Sequence, residues 1–148
     1  MRPPIISFEQ AQDHIVQQVL HAEQKPYLAL LFGNPNSGKS TLAKRCRDNL
    51  YYEHNLMGIT PIGRDSPDDW ILEYARDFML IEDIYPGDDI NSYLRRLFSR
   101  DLDLTILLTP SVSLITPQEW EYFTNKDHFF YQQIDYIVEN PLAKVKRL

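Results

Sequence analysis

The sequence predicts a three-layer α/β domain, with a mostly parallel sheet of about five strands flanked by helices. Short apolar runs typical of strands buried on both faces alternate with amphipathic helical segments, and the joins between them are short. Apolar residues make up 43% of the 148 residues, enough for one hydrophobic core but too few for two ordinary domains. We therefore expect residues 1–148 to form a single domain.

The predicted elements follow from local patterns. The leading segment, residues 1–26, is typical of an amphipathic helix, with Ser7 and Gln10 in a capping-box arrangement. The apolar run 27–33 predicts a central strand, and a helical pattern resumes at Lys39. Further strands are predicted at 56–62, 78–84, 104–110 and 134–140, and further helices at 65–77, 90–98 and 116–123.

Charge and cysteine content limit the partners and the compartment. The net charge of -6 does not support the broad basic face that tight nucleic-acid binding needs, although a local basic surface leaves such binding open. The basic tail, residues 142–148, is expected to be a loose end. The single cysteine, Cys46, excludes an internal disulfide and favours a reducing, cytoplasmic location. The sequence shows neither a secretory leader nor an apolar run of membrane-spanning length, so we expect no membrane association.

The segment after the central strand matches the phosphate-loop pattern of glycine, four residues, then Gly-Lys-Ser. A backbone wrapped around a polyphosphate needs glycine where a side chain would block the approach or where φ is positive. Lys39 is expected to neutralise the β- and γ-phosphate oxygens, and the Ser40 hydroxyl to bind Mg²⁺. The motif predicts a P-loop NTPase fold with ATP and Mg²⁺ as cofactors. The predicted nucleotide-binding residues are Gly33, Asn34, Pro35, Asn36, Ser37, Gly38, Lys39, Ser40 and Thr41.

Two acids end the apolar run after this loop and are the candidate partners of the phosphate site. Glu82 and Asp83 can hold Mg²⁺ and polarise an attacking water, and the sequence leaves open which residue has which role. We assign Asp83 with Ser40 to the metal, and both acids with Lys39 to catalysis. Thr109, at the end of a later strand, is a candidate sensor of the γ-phosphate, or an ordinary strand-end threonine.

Three arginines on or after the helix that follows the acids are candidates for stabilising the transferred phosphate, in this chain or in a neighbouring subunit. A solvated helix face is the explanation that the pattern favours for them. These residues are Arg95, Arg96 and Arg100.

The loop "GNPNSGKST", then "FMLIEDI" and "TILLTP", resemble the ATPase core of superfamily 3 helicases, within the AAA+ ATPases, over residues 27–110. The resemblance implies a Walker A site at Gly33, Gly38, Lys39 and Ser40, a Walker B pair at Glu82 and Asp83, and a sensor near Thr109. It departs from those helicases in lacking their basic hairpin, and in having threonine where they usually have asparagine. ATP hydrolysis in a minimal helicase-like module is our first hypothesis.

The alternative is phosphoryl transfer to a small acceptor, because "NSGKSTLAKRC" and the closing "QIDYIVENP" also resemble uridine kinase-like and deoxynucleotide kinases. The segment from Thr109 to Asp135 has no arginine for a kinase lid. A nucleotide-binding switch with slow hydrolysis is a third hypothesis, and the sequence also leaves open a homo-oligomer or a protein partner. Strand order separates the first two: an acid strand directly beside the loop strand favours the kinase, and an intervening strand favours the AAA+ ATPase.

Overall fold

The structure is a computed structural model that describes residues 3–33, 36–60, 68–82, 90–124 and 134–140. Its strands are β1 (Ile5–Ile6), β2 (Tyr27–Gly33), β3 (Gly58–Ile59), β4 (Phe78–Ile81), β5 (Leu104–Thr109) and β6 (Tyr136–Glu139). They form one six-stranded sheet in the order β1-β6-β5-β2-β4-β3, and every pairing is parallel. The predicted α/β class with a mostly parallel sheet is confirmed, with one strand more than expected.

The helices connect these strands and cover both faces of the sheet. They are α1 (Phe8–Leu20), α2 (Lys39–His54), α3 (Asp68–Tyr74), α4 (Ile90–Phe98) and α5 (Pro117–Thr124), with a short 3₁₀ turn at Val112–Leu114. The capping box predicted for α1 is present, because Ser7 and Gln10 each accept a hydrogen bond from the other's backbone N–H. Such reciprocal bonds satisfy N–H groups that have no partner inside the helix.

The leading segment is not helical throughout, which corrects one expectation. Ile5 and Ile6 form β1 beside β6, and the backbone N–H of Ile137 donates to the carbonyl of Pro4 at 2.9 Å. Two β-branched residues suit a strand. The strand that pairs with them in parallel, β6, lies far along the chain. Of the strand predicted at 56–62, only Gly58–Ile59 form a strand, β3; residues 61 and 62 lie outside the described residues, as does the tail 142–148.

Strand alternation divides the core into two layers. Ala29 and Leu31 of β2 pack with α1 and with the α2 residues Leu42, Cys46 and Leu50. The intervening β2 residues face the opposite layer, where α3 and α4 supply the apolar contacts. Side chains of β2 alternate between the two faces of the sheet, and the buried residues of α2 are four positions apart on one side of the helix. Both patterns lead to the same three-layer packing.

The carboxyl ends of β2, β4, β5 and β6 lie at one edge of the sheet because all the strands are parallel. In open α/β sheets this edge is where ligands bind. Gly33, Glu82, Thr109 and Asn140 end or follow these four strands. Within the described ranges, no helix has the length and apolar character needed to cross a bilayer.

Candidate functional site

The loop begins at Gly33, which ends β2 at a close approach to β5. Its φ is +147°, and a Cβ built there would lie 1.9 Å from the carbonyl oxygen of Leu108. No side chain fits at that distance, and an L-residue rarely adopts that φ. Glycine at the first position of the motif is therefore required by packing against the neighbouring strand.

The second half of the loop turns through two residues of positive φ. Asn36 has a φ of 61° and Gly38 a φ of +100°, and Gly38 is the N-cap of α2. Gly38 has no side chain that could cap this end of the 16-residue helix. Successive peptide units that alternate between left-handed and right-handed conformations turn N–H groups toward a common centre, and a helix N-terminus adds a positive potential. Residues 36–40 thus show two features on which anion sites are built, positive φ at Asn36 and Gly38 and a helix N-terminus.

Lys39 and Ser40 begin α2 beside the end of β4. The Lys39 ammonium donates a hydrogen bond to the carbonyl of Gly33 at 3.3 Å, so it spans the loop. The Ser40 hydroxyl donates to Oε1 of Glu82 at 2.8 Å, and Glu82 is only 7% exposed. A hydroxyl and a carboxylate oxygen are hard ligands of the kind that Mg²⁺ prefers, so the donor set fits that ion.

The topology decides how these parts are arranged. β2, which leads into the loop, lies between β5 and β4, and β4, which ends in Glu82, pairs with it directly from Tyr27–Phe78 to Leu30–Ile81. The chain adopts a P-loop NTPase-like fold. By the strand-order criterion the acid strand is the neighbour of the loop strand, and no strand separates them.

No protein-family model and no curated protein sequence matches the chain. Among solved structures, the chain is similar to a possible uridine kinase from Bacillus stearothermophilus, with 13% sequence identity and a TM-score of 0.47. That similarity covers 88% of this chain and 98% of the other. The fold assignment accordingly rests on the strand order and the loop geometry.

The remaining predicted loop residues fall into three groups. Thr41 is exposed on the first turn of α2. Ser37 is fully buried, and its hydroxyl has no hydrogen-bond partner among the described residues, so this side chain is not open to a nucleotide. Any contact of Ser37 with phosphate is therefore through its backbone. Asn34, Pro35 and the acid Asp83 lie outside the described residues, and their roles stay predictions.

Thr109 lies at the carboxyl end of β5 but its hydroxyl is used locally. The side chain is fully buried, and its Oγ1 donates to the carbonyl of Ser111 at 2.9 Å. The same oxygen faces the backbone N–H of Ser111 at 3.4 Å. In this arrangement the hydroxyl holds the turn after β5 and does not offer its proton to a phosphate, so the sensor role stays a prediction.

The three candidate arginines are engaged with carboxylates. Arg95 pairs with Asp101 at 2.6 Å, and Arg96 pairs with Asp68. Arg100 pairs with Asp103 at 2.6 Å and also donates to the carbonyl of Pro26. Pro26 precedes β2, so Arg100 lies at the edge of the sheet opposite the loop.

Asn140 is a site residue that the sequence analysis did not identify. Its backbone N–H donates to the carbonyl of Thr109 at 2.9 Å, and its side-chain amide donates to the carbonyl of Ser37 at 3.2 Å. It therefore joins the ends of β6 and β5 to the loop, although Ser37 and Asn140 are 103 positions apart. Its place as the last residue of a predicted strand was the only available signal, and that signal does not distinguish it from other strand-end residues.

Proposed function

We propose that this chain binds Mg-ATP in the loop 33–40 and transfers the terminal phosphoryl group to a small acceptor. The observation that carries this proposal is the direct pairing of β4 with β2. The strand-order criterion associates this pairing with the kinases rather than with the AAA+ ATPases. It therefore favours the second of the two sequence-based hypotheses over the first.

The proposed roles of the residues follow from their contacts. The N-terminus of α2 and the loop N–H groups bind the phosphate oxygens, and Lys39 neutralises their charge. Ser40 and Glu82 would hold the Mg²⁺ ion, which supplies charge neutralisation between the β- and γ-phosphates when bound. Asp83 remains the proposed second acid, either on the metal or as the base that accepts the proton of the attacking hydroxyl.

Hydrolysis is the second candidate, and the arginine contacts favour it. Transfer to an acceptor other than water needs cations that clamp the donor and a closure that excludes water. Arg95, Arg96 and Arg100 are each paired with an aspartate, and Arg100 lies at the opposite edge of the sheet. Within the described residues, these three arginines therefore do not provide such a clamp.

Labelled ATP separates the two candidates. The purified chain is incubated with [γ-³²P]ATP and Mg²⁺, with a panel of nucleosides and nucleotides, in the presence and absence of single-stranded DNA. Label on an acceptor is the expected result. Free phosphate alone, increased by the DNA, would contradict phosphoryl transfer and support the helicase-like hypothesis. Nucleotide binding without turnover in any mixture would leave only a binding function.

Two variants test the site itself. Lys39→Ala removes the cation that spans the loop, and we expect turnover to fall by about 100-fold or more. Lys44→Ala is the matched control, since Lys44 is exposed on the same helix, five residues further along. Full turnover by Lys39→Ala would refute the site assignment.

A further inference from the structure

Gly38, the N-cap of α2, has a backbone conformation that its own residue type does not hold. Its φ of +100° lies in the left-handed region. Glycine adopts positive and negative φ about equally readily, because it has no Cβ. Contacts from the rest of the fold therefore keep Gly38 in the conformation at which the loop becomes α2.

Two side chains from opposite ends of the chain close the same face of Gly38. A Cβ built on Gly38 would lie 3.3 Å from Cε2 of Phe8 and 2.7 Å from Nδ2 of Asn140. The ring and the amide thus fill the space in which another residue would carry its side chain. Asn140 also donates to the carbonyl of Ser37, whereas Phe8 acts on the loop through packing alone.

The pairing of β1 with β6 brings these two side chains together. The strands are parallel, and their last pair is Ile6 with Val138. Two positions further along the two segments are Phe8 and Asn140. One strand pair therefore places both residues beside Gly38, although they are far apart in the sequence.

Phe8 is fixed at this position by its own surroundings. It is the first residue of α1, where the capping box fixes the first turn of the helix. Its side chain is only 8% exposed and belongs to the apolar cluster that includes Leu42 of α2. The guanidinium of Arg45 lies over the ring, with Cζ 5.1 Å from the ring centroid. The ring therefore lies along the first two turns of α2, beginning at Gly38.

We propose that Phe8 is a positioning residue of the phosphate loop, through which the leading segment keeps Gly38 in its left-handed conformation. That conformation directs the first N–H groups of α2 toward the bound phosphates. Truncation of the ring opens a space beside Gly38, and the glycine then also populates φ values at which the loop does not bind. The inference rests on the nucleotide-binding part of the proposed function and is independent of whether the phosphoryl group passes to an acceptor or to water.

Isothermal titration calorimetry with Mg-ATP tests this role. We expect the dissociation constant of Phe8→Ala to rise about 10-fold, because the apparent affinity falls in proportion to the fraction of molecules whose loop is competent to bind. Phe8→Leu keeps most of the apolar volume and should bind within about 3-fold of the wild type, with Phe8→Val between the two. Circular dichroism establishes that each variant is folded, and the valine variant carries the test if the alanine variant does not fold.

Ile15→Ala is the matched control. Ile15 is fully buried on the same side of α1, seven positions after Phe8. Its truncation also opens a cavity beneath the helix but leaves the contact with Gly38 in place. We expect this variant to be less stable than the wild type, with an unchanged dissociation constant for Mg-ATP in the folded protein.

The three-bond couplings between the amide proton and the α-protons of Gly38 report its φ without any nucleotide present. In NMR spectra of the unliganded protein, these couplings should change toward a conformational average in Phe8→Ala and stay constant in Ile15→Ala. A ring-current effect on the chemical shift does not alter these couplings, so loss of the aromatic ring does not by itself produce this result.

Three outcomes would overturn the inference and leave the proposed function standing: wild-type affinity in Phe8→Ala, an equal loss of affinity in Ile15→Ala, or unchanged Gly38 couplings in Phe8→Ala. A wild type that binds no Mg-ATP would instead overturn the proposed function, and the inference that rests on it.

Discussion

The side-chain amide of Asn140 holds the carbonyl of Ser37 at 3.2 Å, and the same residue fixes the carbonyl of Thr109 through its backbone N–H. The carbonyl of Ser37 and the N–H of Gly38 belong to one trans peptide unit and point in opposite directions. Because the Ser37 carbonyl is held toward Asn140, the Gly38 N–H points away from Asn140. The bond thus maintains the orientation of one of the loop N–H groups.

We expect Asn140→Ala to weaken Mg-ATP binding about 10-fold, because the loop loses the donor that holds one of its peptide units. Isothermal titration calorimetry measures the affinity. Ser37→Ala is the matched control, because it keeps the carbonyl and removes only a buried hydroxyl that has no partner among the described residues. An unchanged affinity in Asn140→Ala, or an equal loss in Ser37→Ala, would contradict the positioning role.

Alanine substitutions at the two glycines of the loop should differ in their effects on stability and on nucleotide affinity. A Cβ at Gly33 meets the backbone of Leu108 at 1.9 Å, whereas a Cβ at Gly38 meets the movable side-chain amide of Asn140 at 2.7 Å. We expect Gly33→Ala to lower the free energy of unfolding by about 3 kcal/mol. Gly38→Ala should cost about 1 kcal/mol and act mainly on nucleotide affinity.

Urea denaturation and nucleotide titration of both glycine variants make this comparison. Equal losses of stability in the two variants would show that the close approach to β5 does not decide the identity of residue 33.

Glu82→Gln should change the dependence on Mg²⁺ more than the binding of nucleotide alone. The amide keeps the shape of the side chain and an oxygen that can accept from Ser40, but it removes the negative charge near the expected ion. We expect the Mg²⁺ concentration for half-maximal nucleotide binding to rise about 10-fold. Glu73→Gln, at an exposed position on α3, serves as the control. An unaltered Mg²⁺ requirement in Glu82→Gln would remove Glu82 from the metal site.

Cys46 should link stability to alkaline pH. Burial, with a smaller contribution from Asp13, raises the pKa of this thiol from 9.0 to about 12. Between these values the unfolded chain has lost the proton and the folded chain has kept it. The stabilisation is thus complete below about pH 9 and is lost as the pH rises toward 12, by about 1.4 kcal/mol per unit.

Urea denaturation of the wild type and of Cys46→Ala at pH 8 and pH 10 tests this linkage. The wild type should lose more stability between the two pH values than the variant does. Parallel losses would mean that the buried thiol does not supply this part of the pH dependence.

Periodicity along the sequence was sufficient for the elements whose pattern is local. The apolar run at β2 predicted the central strand, and the helical pattern from Lys39 predicted α2, whose buried side carries Leu42, Cys46 and Leu50. Pairing between distant segments is not contained in such patterns. For that reason Ile5–Ile6 was assigned to a leading helix, although β6 makes it a strand, and Asn140 was not identified as a neighbour of the loop.

The sequence by itself determined the loop: its glycines, Lys39 and Ser40 form a local motif whose backbone geometry follows from residue types and spacing. Only the tertiary structure decided that β4 is the neighbour of β2, that Ser40 meets Glu82, and that Arg100 lies at the opposite edge of the sheet. These relationships depend on strand order, which is set by packing and backbone pairing between segments far apart in the chain. The same short apolar runs would be present in the sequence if the strands were arranged in another order, and that order would favour a different function.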